Sequence, residues 1–125
     1  MKEFKIFVED KPGELARVTE SLASRAVNIK AIASETAGNK AFLRVVTNDV
    51  TSTEKALSEA SIGFEQSDIL NISLIDRPGE LAKVAKKLGK AKINIRSIYI
   101  LGQRNGKTEL ALVVDNMSRA EDLLR

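Results

Sequence analysis

An internal repeat limits this chain to folds built from two copies of one module. Residues 10–18 read DKPGELARV and residues 76–84 read DRPGELAKV, so the two stretches lie 66 residues apart. Every difference between them exchanges Lys for Arg or the reverse. The same spacing relates NIKAI at residues 28–32 to NIRSI at residues 94–98. Because the spacing persists across a whole intervening segment, the chain is predicted to be a tandem repeat.

Each module is predicted to contain its elements in the order β-α-β-β-α. An apolar strand ends at a Pro-Gly loop, and an amphipathic helix follows whose apolar residues recur at i, i+3 and i+7. In the first module these residues are Leu15, Val18 and Leu22, which are expected to face the sheet. Two more strands follow. The repeat then slips by two residues, which we assign to a longer turn at residues 103–107 than at residues 37–40.

A second helix in each module is predicted from a capping box, in which Ser or Thr precedes Glu by three residues. The candidates are residues 51–54 and residues 118–121. Residues 62–65 supply a short closing strand to the first module, and the second module is expected to lack one. The predicted modules are residues 1–68 and residues 69–125. Their class is α+β, with two ferredoxin-like βαββαβ modules in tandem, antiparallel sheets and the helices on one face.

The absence of cysteine and histidine narrows the chemistry of the chain. It excludes disulfides, thiolate and imidazole metal sites and histidine-based acid–base catalysis. No pair among the remaining Asp, Glu, Lys and Tyr residues has a spacing that indicates catalysis. We therefore predict a protein that is not an enzyme and has no cofactor or metal. No stretch has the composition of a signal peptide or a membrane span, so a soluble cytoplasmic protein is expected.

The two Pro-Gly loops are the main candidates for a binding site. Each places main-chain N–H donors at the positive end of a helix dipole, where a carboxylate is a suitable guest. These donors belong to Gly13, Glu14 and Leu15 in the first module and to Gly79, Glu80 and Leu81 in the second. The side chains expected to help are those of Asp10, Asp76, Asn28 and Asn94, since Asp accepts hydrogen bonds from an ammonium group and Asn both donates and accepts.

Together these groups suit the zwitterion of an α-amino acid. The same residues also have a purely structural interpretation. Asp-x-Pro-Gly is an ordinary turn followed by a helix start, and Asn is common where a helix ends. The residues alone leave both interpretations open.

The Asp-x-Pro-Gly-x-Leu loop, the Asn-Ile pair downstream and the order of elements resemble the ACT domain, and both repeats together span nearly the whole chain. The resemblance implies ligand-binding residues in both modules. They are Asp10, Lys11, Pro12, Gly13, Glu14, Leu15, Asn28 and Ile29, and then Asp76, Arg77, Pro78, Gly79, Glu80, Leu81, Asn94 and Ile95.

Members of this family pair side by side, often through their second strands, and bind amino acids between the first loop of one domain and its neighbour. The resemblance therefore implies an amino-acid ligand, control of amino-acid metabolism and an unidentified target enzyme or regulator. A homodimer or larger assembly is expected because the missing closing strand of the second module leaves an open edge that a second copy of the chain would cover. The two modules are expected to form a pseudo-dimer with equivalent strands adjacent. Selectivity is expected from Ile32, Ser34, Ile98 and Ile100. Serine is disfavoured as the ligand, because the histidine of some serine-binding loops is missing.

Two other functional classes remain alternatives. RNA-binding RRM domains share the βαββαβ order, and the net charge is +3. However, RRM sheets stack bases on aromatic residues, and Phe42 on the third strand has Leu110 as its predicted counterpart. The lysines of the second module lie within one amphipathic helix, where a solvated face explains them. We therefore predict neither a nucleic-acid nor a membrane partner. The other alternative is a structural or regulatory subunit without a ligand of its own.

Overall fold

The computed structural model describes residues 1–124 and divides the chain into two compact units. The division falls between Ser67 and Asp68, one residue before the predicted boundary. Within the described residues, no helix combines the length and the apolar character needed to cross a membrane.

The first unit contains four strands and two helices. In chain order they are β1 (Lys2–Val8), α1 (Glu14–Ser24), β2 (Ile29–Ala37), β3 (Lys40–Thr47), α2 (Val50–Glu59) and β4 (Phe64–Asp68). The sheet has the order β2-β3-β1-β4, and β3 pairs antiparallel with both of its neighbours. This is the predicted ferredoxin-like module, with the closing strand at its edge.

The second unit repeats this order without a fourth strand among its described residues. Its elements are β5 (Leu70–Ile75), α3 (Glu80–Lys90), β6 (Ile95–Arg104), β7 (Lys107–Val114) and α4 (Met117–Leu124). The three strands form an antiparallel sheet in the order β5-β7-β6. The predicted fold class of two ferredoxin-like modules is therefore confirmed.

Both helices of the first unit pack on one face of its sheet. Alternate residues of β1, Phe4 and Ile6, are fully buried in one cluster with Val18 and Leu22 of α1 and Leu57 of α2. Burial of such side chains contributes about 1.5–3 kcal/mol each to folding. The second unit has a matching cluster around Leu70, Val84, Leu88 and Leu112.

One residue of each predicted helix stripe does not join the core. Leu15 is 54% exposed and Leu81 is 43% exposed, so the expectation that Leu15 faces the sheet is wrong. Both residues lie in the first turn of their helices. Periodicity therefore does not decide burial in the first turn of α1, where Glu14 is buried and Leu15 is exposed.

The slip in the repeat comes from a bulge, and the predicted longer turn is wrong. Both hairpins turn through two residues, and the strand pairing of β6 and β7 shifts between Ile100 and Gly102, which leaves Leu101 as the additional residue. The slip is therefore one residue. Phe42 therefore corresponds to Glu109 and not to Leu110. The difference matters because neighbouring residues of a strand point to opposite faces of the sheet.

The second helix of each unit begins one residue before its predicted capping box. Asp49 is the N-cap of α2, and its carboxylate accepts a hydrogen bond from the main-chain N–H of Ser52 at 3.1 Å. The side-chain oxygen of Asn116 accepts from the main-chain N–H of Arg119 at 3.2 Å. Both residues are good caps, so the capping-box motifs indicated the helices and missed the capping residues.

Helices α1 and α3 end in the same Schellman motif. After α1, Ala26 adopts a left-handed φ of 54°, and the main-chain N–H of Val27 donates to the carbonyl oxygen of Leu22 at 3.0 Å. After α3, Lys92 has a φ of 60°, and Ile93 donates to Leu88 at 2.9 Å. The motif reverses the chain and buries the residue that leads into the next strand.

Candidate functional site

The first loop, between β1 and α1, ends at a glycine with a left-handed backbone. Gly13 is the N-cap of α1 with φ of 91° and ψ of −12°, and Gly79 is the N-cap of α3 with φ of 90° and ψ of −14°. Glycine adopts this φ without steric cost. No side chain caps either helix. The main-chain N–H groups of each first turn are therefore left without a side-chain acceptor, which is the condition for anion binding at a helix N-terminus.

Glu14 holds the first loop against the start of α1. Its carboxylate accepts the main-chain N–H of Glu9 at 2.9 Å and the guanidinium of Arg17 at 2.7 Å, and its side chain is only 8% exposed. The hydrogen bond from Arg17, followed by the one from Glu9, lowers the pKa of Glu14 to about 2. The carboxylate is therefore charged and engaged within the loop, so Glu14 positions the loop and offers only its main-chain N–H to a ligand.

Three open clefts surround the first loop. The largest has a volume of about 630 Å³ and lies over the loop and the start of α1, with Phe7 and Gly13 in its lining. A second, of about 250 Å³, runs past Leu15 and Ser34 towards β2. The third, of about 460 Å³, lies over Phe7 and Phe42 of the sheet. The largest and the third fall in the size range of small-molecule sites.

Asp10 is the acidic group of the loop that remains without a partner. Its exposed carboxylate makes no ion pair or side-chain hydrogen bond with the described residues, and it lines both smaller clefts. Lys11, in contrast, pairs with Glu9 at 2.9 Å, and the hydrogen bond that its ammonium group donates to the Glu9 carboxylate raises the pKa of Lys11. The loop thus presents one open carboxylate close in sequence to the N–H groups of the helix start.

The second loop has the same backbone and a different set of contacts. Arg77 donates to the carboxylate of Glu80 at 2.6 Å, and Lys83 donates to it at 3.2 Å. The hydrogen bond from Arg77 is the larger cause of a lowered pKa of Glu80, ahead of that from Lys83. The main-chain N–H of Asp76 donates to the carbonyl of Gly106 at 2.9 Å, which ties this loop to the β6–β7 turn. No equivalent bond fixes Asp10 among the described residues of the first unit.

The structure does not bring the predicted asparagines to the loop of their own unit. Asn28 follows the C-terminal end of α1, and the loop precedes its N-terminal end, so the 11-residue helix separates them by about 16 Å. Asn94 lies at the matching place, and its main chain is engaged: its N–H donates to the Asp115 carboxylate at 3.0 Å and its carbonyl accepts from Asp115 at 3.2 Å. Ile29 and Ile95 pack against the two cores.

The residues predicted to set selectivity are dispersed along β2 and β6. Ile32, Ile98 and Ile100 are exposed, at 44%, 43% and 65%, and Ser34 lines the cleft towards β2. Strand register places Ile32 and Ile98 on the helix-bearing face, opposite Val45 and Leu112. Only Ser34 is shown to line a cleft together with loop residues.

Three cleft residues were missed by the sequence interpretation. Lys5, Phe7 and Phe42 lie on the sheet face that carries no helix, beside the loop. The available signal was the alternation of β1, which places Phe7 opposite to Phe4 and Ile6. Phe7 is therefore a large apolar residue on the outer face of the strand that ends at the first loop.

The described residues contain no group of three or more acidic, His or Cys side chains placed to hold a metal ion. The charged groups nearest the first loop are paired with one another, with Asp10 as the exception noted above. The polar groups that the first loop leaves open are therefore the carboxylate of Asp10 and the uncapped N–H groups at the start of α1.

Comparison with known proteins gives one family and a consistent fold. The family model described as an ACT domain pair matches residues 1–124. No curated protein sequence matches the chain. Among solved structures, protein BT0572 from Bacteroides thetaiotaomicron is 29% identical with a TM-score of 0.88, covering 98% of this chain and 85% of that one.

Two further structures share the fold at lower identity. The regulatory subunit of aspartate kinase from Thermus thermophilus is 22% identical with a TM-score of 0.70, covering 99% of this chain and 87% of that one. The corresponding subunit from Thermus flavus is 21% identical with a TM-score of 0.63, with coverage of 99% and 88%.

Proposed function

This chain belongs to the ACT domain family as a pair of ACT domains, and we propose that it is a non-enzymatic regulatory protein that binds a free amino acid at its first loop. The observation that carries the proposal is the cleft of about 250 Å³ that Asp10, Glu14 and Leu15 line together, which brings the unpaired carboxylate of Asp10 beside the uncapped N–H groups at the start of α1. An α-amino acid carries the two opposite charges that these groups complement.

The ligand carboxylate is assigned to the main-chain N–H groups of Glu14 and Leu15 at the start of α1. A helix N-terminus stabilises an anion through these donors and through its dipole. The side chain of Glu14 does not oppose this, because its charge is paired with Arg17 at 2.7 Å. The left-handed Gly13 leaves the approach open, since no atom beyond its two chain neighbours lies within 4 Å of the position that a Cβ would take.

The ligand ammonium group is assigned to the carboxylate of Asp10. A charge-assisted hydrogen bond of this kind contributes roughly 1.5–3 kcal/mol. Asp10→Ala should therefore weaken binding by about that amount. Glu20→Ala is the matched control, because Glu20 is an exposed carboxylate farther along α1 that makes no contact with the loop. Asn28 is not assigned a contact with this ligand, because the length of α1 separates it from the loop of its own unit.

A thermal-shift screen against the twenty amino acids tests the proposal. A ligand at 100 times its Kd adds about 2.7 kcal/mol to the free energy of unfolding, which is readily seen as a higher midpoint. The controls are the amide and the N-acetyl derivative of any ligand found, since each lacks one of the two charges. A response to both derivatives equal to that of the free amino acid would contradict the assignment of charges, and no response to any amino acid would support the alternative of a subunit without a ligand.

The similar structures include regulatory subunits of aspartate kinase, which are not catalytic subunits. We extend the proposal to a regulator that acts on a separate enzyme or regulatory protein when its ligand is bound. The chain is also proposed to self-associate as a homodimer or larger assembly, because the outer edge of β5 has no strand beside it within the described residues. Light scattering that reports a monomer at all concentrations would contradict self-association.

A further inference from the structure

The floor of the third cleft is a pair of phenylalanine rings on the outer face of the first sheet. Phe7 and Phe42 are opposite each other on β1 and β3, with ring centroids 5.7 Å apart and an interplanar angle of 73°. The ammonium group of Lys5 lies 4.3 Å from the centroid of Phe42. Phe7 remains 39% exposed. Its ring is therefore an apolar surface of which a substantial part is still in contact with water.

Phe7 connects this floor to the loop. It lines both the cleft of about 630 Å³ that contains Gly13 and the cleft of about 460 Å³ that contains Asp10. The cleft lined by Asp10, Glu14 and Leu15 shares Val8 and Glu9 with both of these clefts, so a side chain that extends from a molecule bound at the loop into either of them meets the ring of Phe7. Covering an exposed aromatic ring with an apolar group is favourable by about 25 cal/mol for each Å² removed from water.

The second unit has none of these three side chains. The repeat places Asn71 at the position of Lys5 and Ser73 at the position of Phe7, and the strand register places Glu109 opposite Ser73, where Phe42 lies in the first unit. A carboxylate and a hydroxyl replace the two rings. In addition, the second loop is tied to the β6–β7 turn through Asp76, and Arg77 is paired with Glu80. The two loops share a backbone and differ in what they offer to a ligand's side chain.

We propose that only the first loop binds ligand, and that the ligand is an α-amino acid with an aromatic or large aliphatic side chain that rests on Phe7. This inference depends on the proposed function and adds to it both the stoichiometry and the class of amino acid. The side chains next to the floor are the reason for a neutral ligand side chain. Lys5 and Lys40 line it together with Glu9 and Asp10, so the charges around the floor are balanced, and a charged ligand side chain over Phe7 would lose water without one net opposite charge to replace it.

Isothermal titration calorimetry on the whole chain tests the inference with free phenylalanine, leucine, alanine, aspartate and lysine. The expected result is one molecule bound per chain, with phenylalanine or leucine bound at least about tenfold more tightly than alanine. Phe7→Ser copies the second loop and should weaken binding by about tenfold or more. Phe7→Leu keeps an apolar floor and should retain most of the affinity. Ser73→Phe should leave the affinity of the first loop unchanged.

Circular dichroism and the thermal midpoint establish that each variant is folded, and Phe7→Leu serves as the second variant if Phe7→Ser unfolds. Two molecules per chain, a preference for aspartate or lysine, or unchanged affinity in Phe7→Ser would overturn the inference while leaving amino-acid binding intact. Binding of none of the twenty amino acids would overturn the proposed function and this inference together. Binding of single-stranded RNA that is lost in Phe7→Ser, without amino-acid binding, would assign the rings to base stacking instead.

Discussion

The carboxylate of Glu14 accepts a hydrogen bond from the main-chain N–H of Glu9 at 2.9 Å. Because Glu9 follows β1 and Glu14 begins α1, this bond joins the two ends of the first loop. The corresponding carboxylate of the second unit, Glu80, bonds only to side chains in the contacts resolved for that loop. The first loop is thus held in shape by a charge, and its stability should depend on pH.

We predict that Glu14→Gln removes a component of stability that is present at neutral pH and absent in acid. The pKa of Glu14 is lowered from 4.5 to about 2 in the folded chain. A lowered folded-state pKa stabilises the fold above pH 4.5, and this contribution is lost as the pH falls from 4.5 towards 2. Urea unfolding at several pH values should show Glu14→Gln below the parent at pH 7 and converging with it at low pH. Glu20→Gln, at an exposed carboxylate of the same helix, is measured beside it, and a constant difference between Glu14→Gln and the parent at all pH values would contradict the assignment.

The two loop glycines should respond to alanine in the opposite direction to a helix glycine. Gly13→Ala and Gly79→Ala force an L-residue to a φ near 90°, which should lower the free energy of unfolding by about 1–2 kcal/mol. The cost is conformational, since the space at both positions is open. Gly89 lies inside α3 with open space around it, so Gly89→Ala should raise the free energy of unfolding by about 0.5–1 kcal/mol. Denaturant titration compares all three, and equal effects would show that the left-handed φ is not the cause.

Removing the side chain of Asp49 should destabilise α2, and removing that of Thr51 should not, because Asp49 is the N-cap. Asp49→Ala removes the acceptor of the Ser52 N–H and should cost about 1 kcal/mol of stability. Thr51 is an exposed residue of the first helical turn, so Thr51→Ala should change the free energy of unfolding by less than about 0.5 kcal/mol. Thermal unfolding of both variants under the same conditions decides between them. A larger loss for Thr51→Ala would restore the capping box.

Replacement of two leucines of α1 should change the free energy of unfolding by very different amounts, although the two lie seven residues apart and on the same face of the helix. Leu22 is fully buried, and Leu22→Ala should cost about 2–5 kcal/mol. Leu15 is 54% exposed, and Leu15→Ala should cost less than about 1 kcal/mol. Measurement at two protein concentrations adds a control for self-association: a cost for Leu15→Ala that grows with concentration would show that an assembly covers this residue.

The fold could be predicted because the same pattern of strands and helices occurs in both copies of the module. Alternation along β1 and the spacing of Val18 and Leu22 are enough to place the helices on one face of the sheet. The offset of 66 then transfers that interpretation to the second unit. The bulge at Leu101 was not predictable, because an additional residue in a strand and an additional residue in a turn give the same spacing in sequence.

The site was predictable only in its backbone. Pro-Gly before a helix predicts the left-handed turn at Gly13 and the open N–H groups, since those depend on local conformation. The distance from Asn28 to the loop and the closeness of Phe7 to Phe42 depend on which strands are neighbours and on their register. Sequence spacing does not supply that information, so the contribution of Asn28 and Asn94 to a binding site stays a prediction.

The left-handed residues that follow α1 and α3 indicate where more stable variants of this protein can be made. Ala26 and Lys92 hold backbone angles that an L-residue adopts only at a cost of about 1–2 kcal/mol, and glycine adopts them freely. Both sites are at the far end of α1 and α3 from the Pro-Gly loops. Replacing each by glycine should therefore raise the free energy of unfolding. In that background, loop variants that weaken the fold can still be purified and titrated.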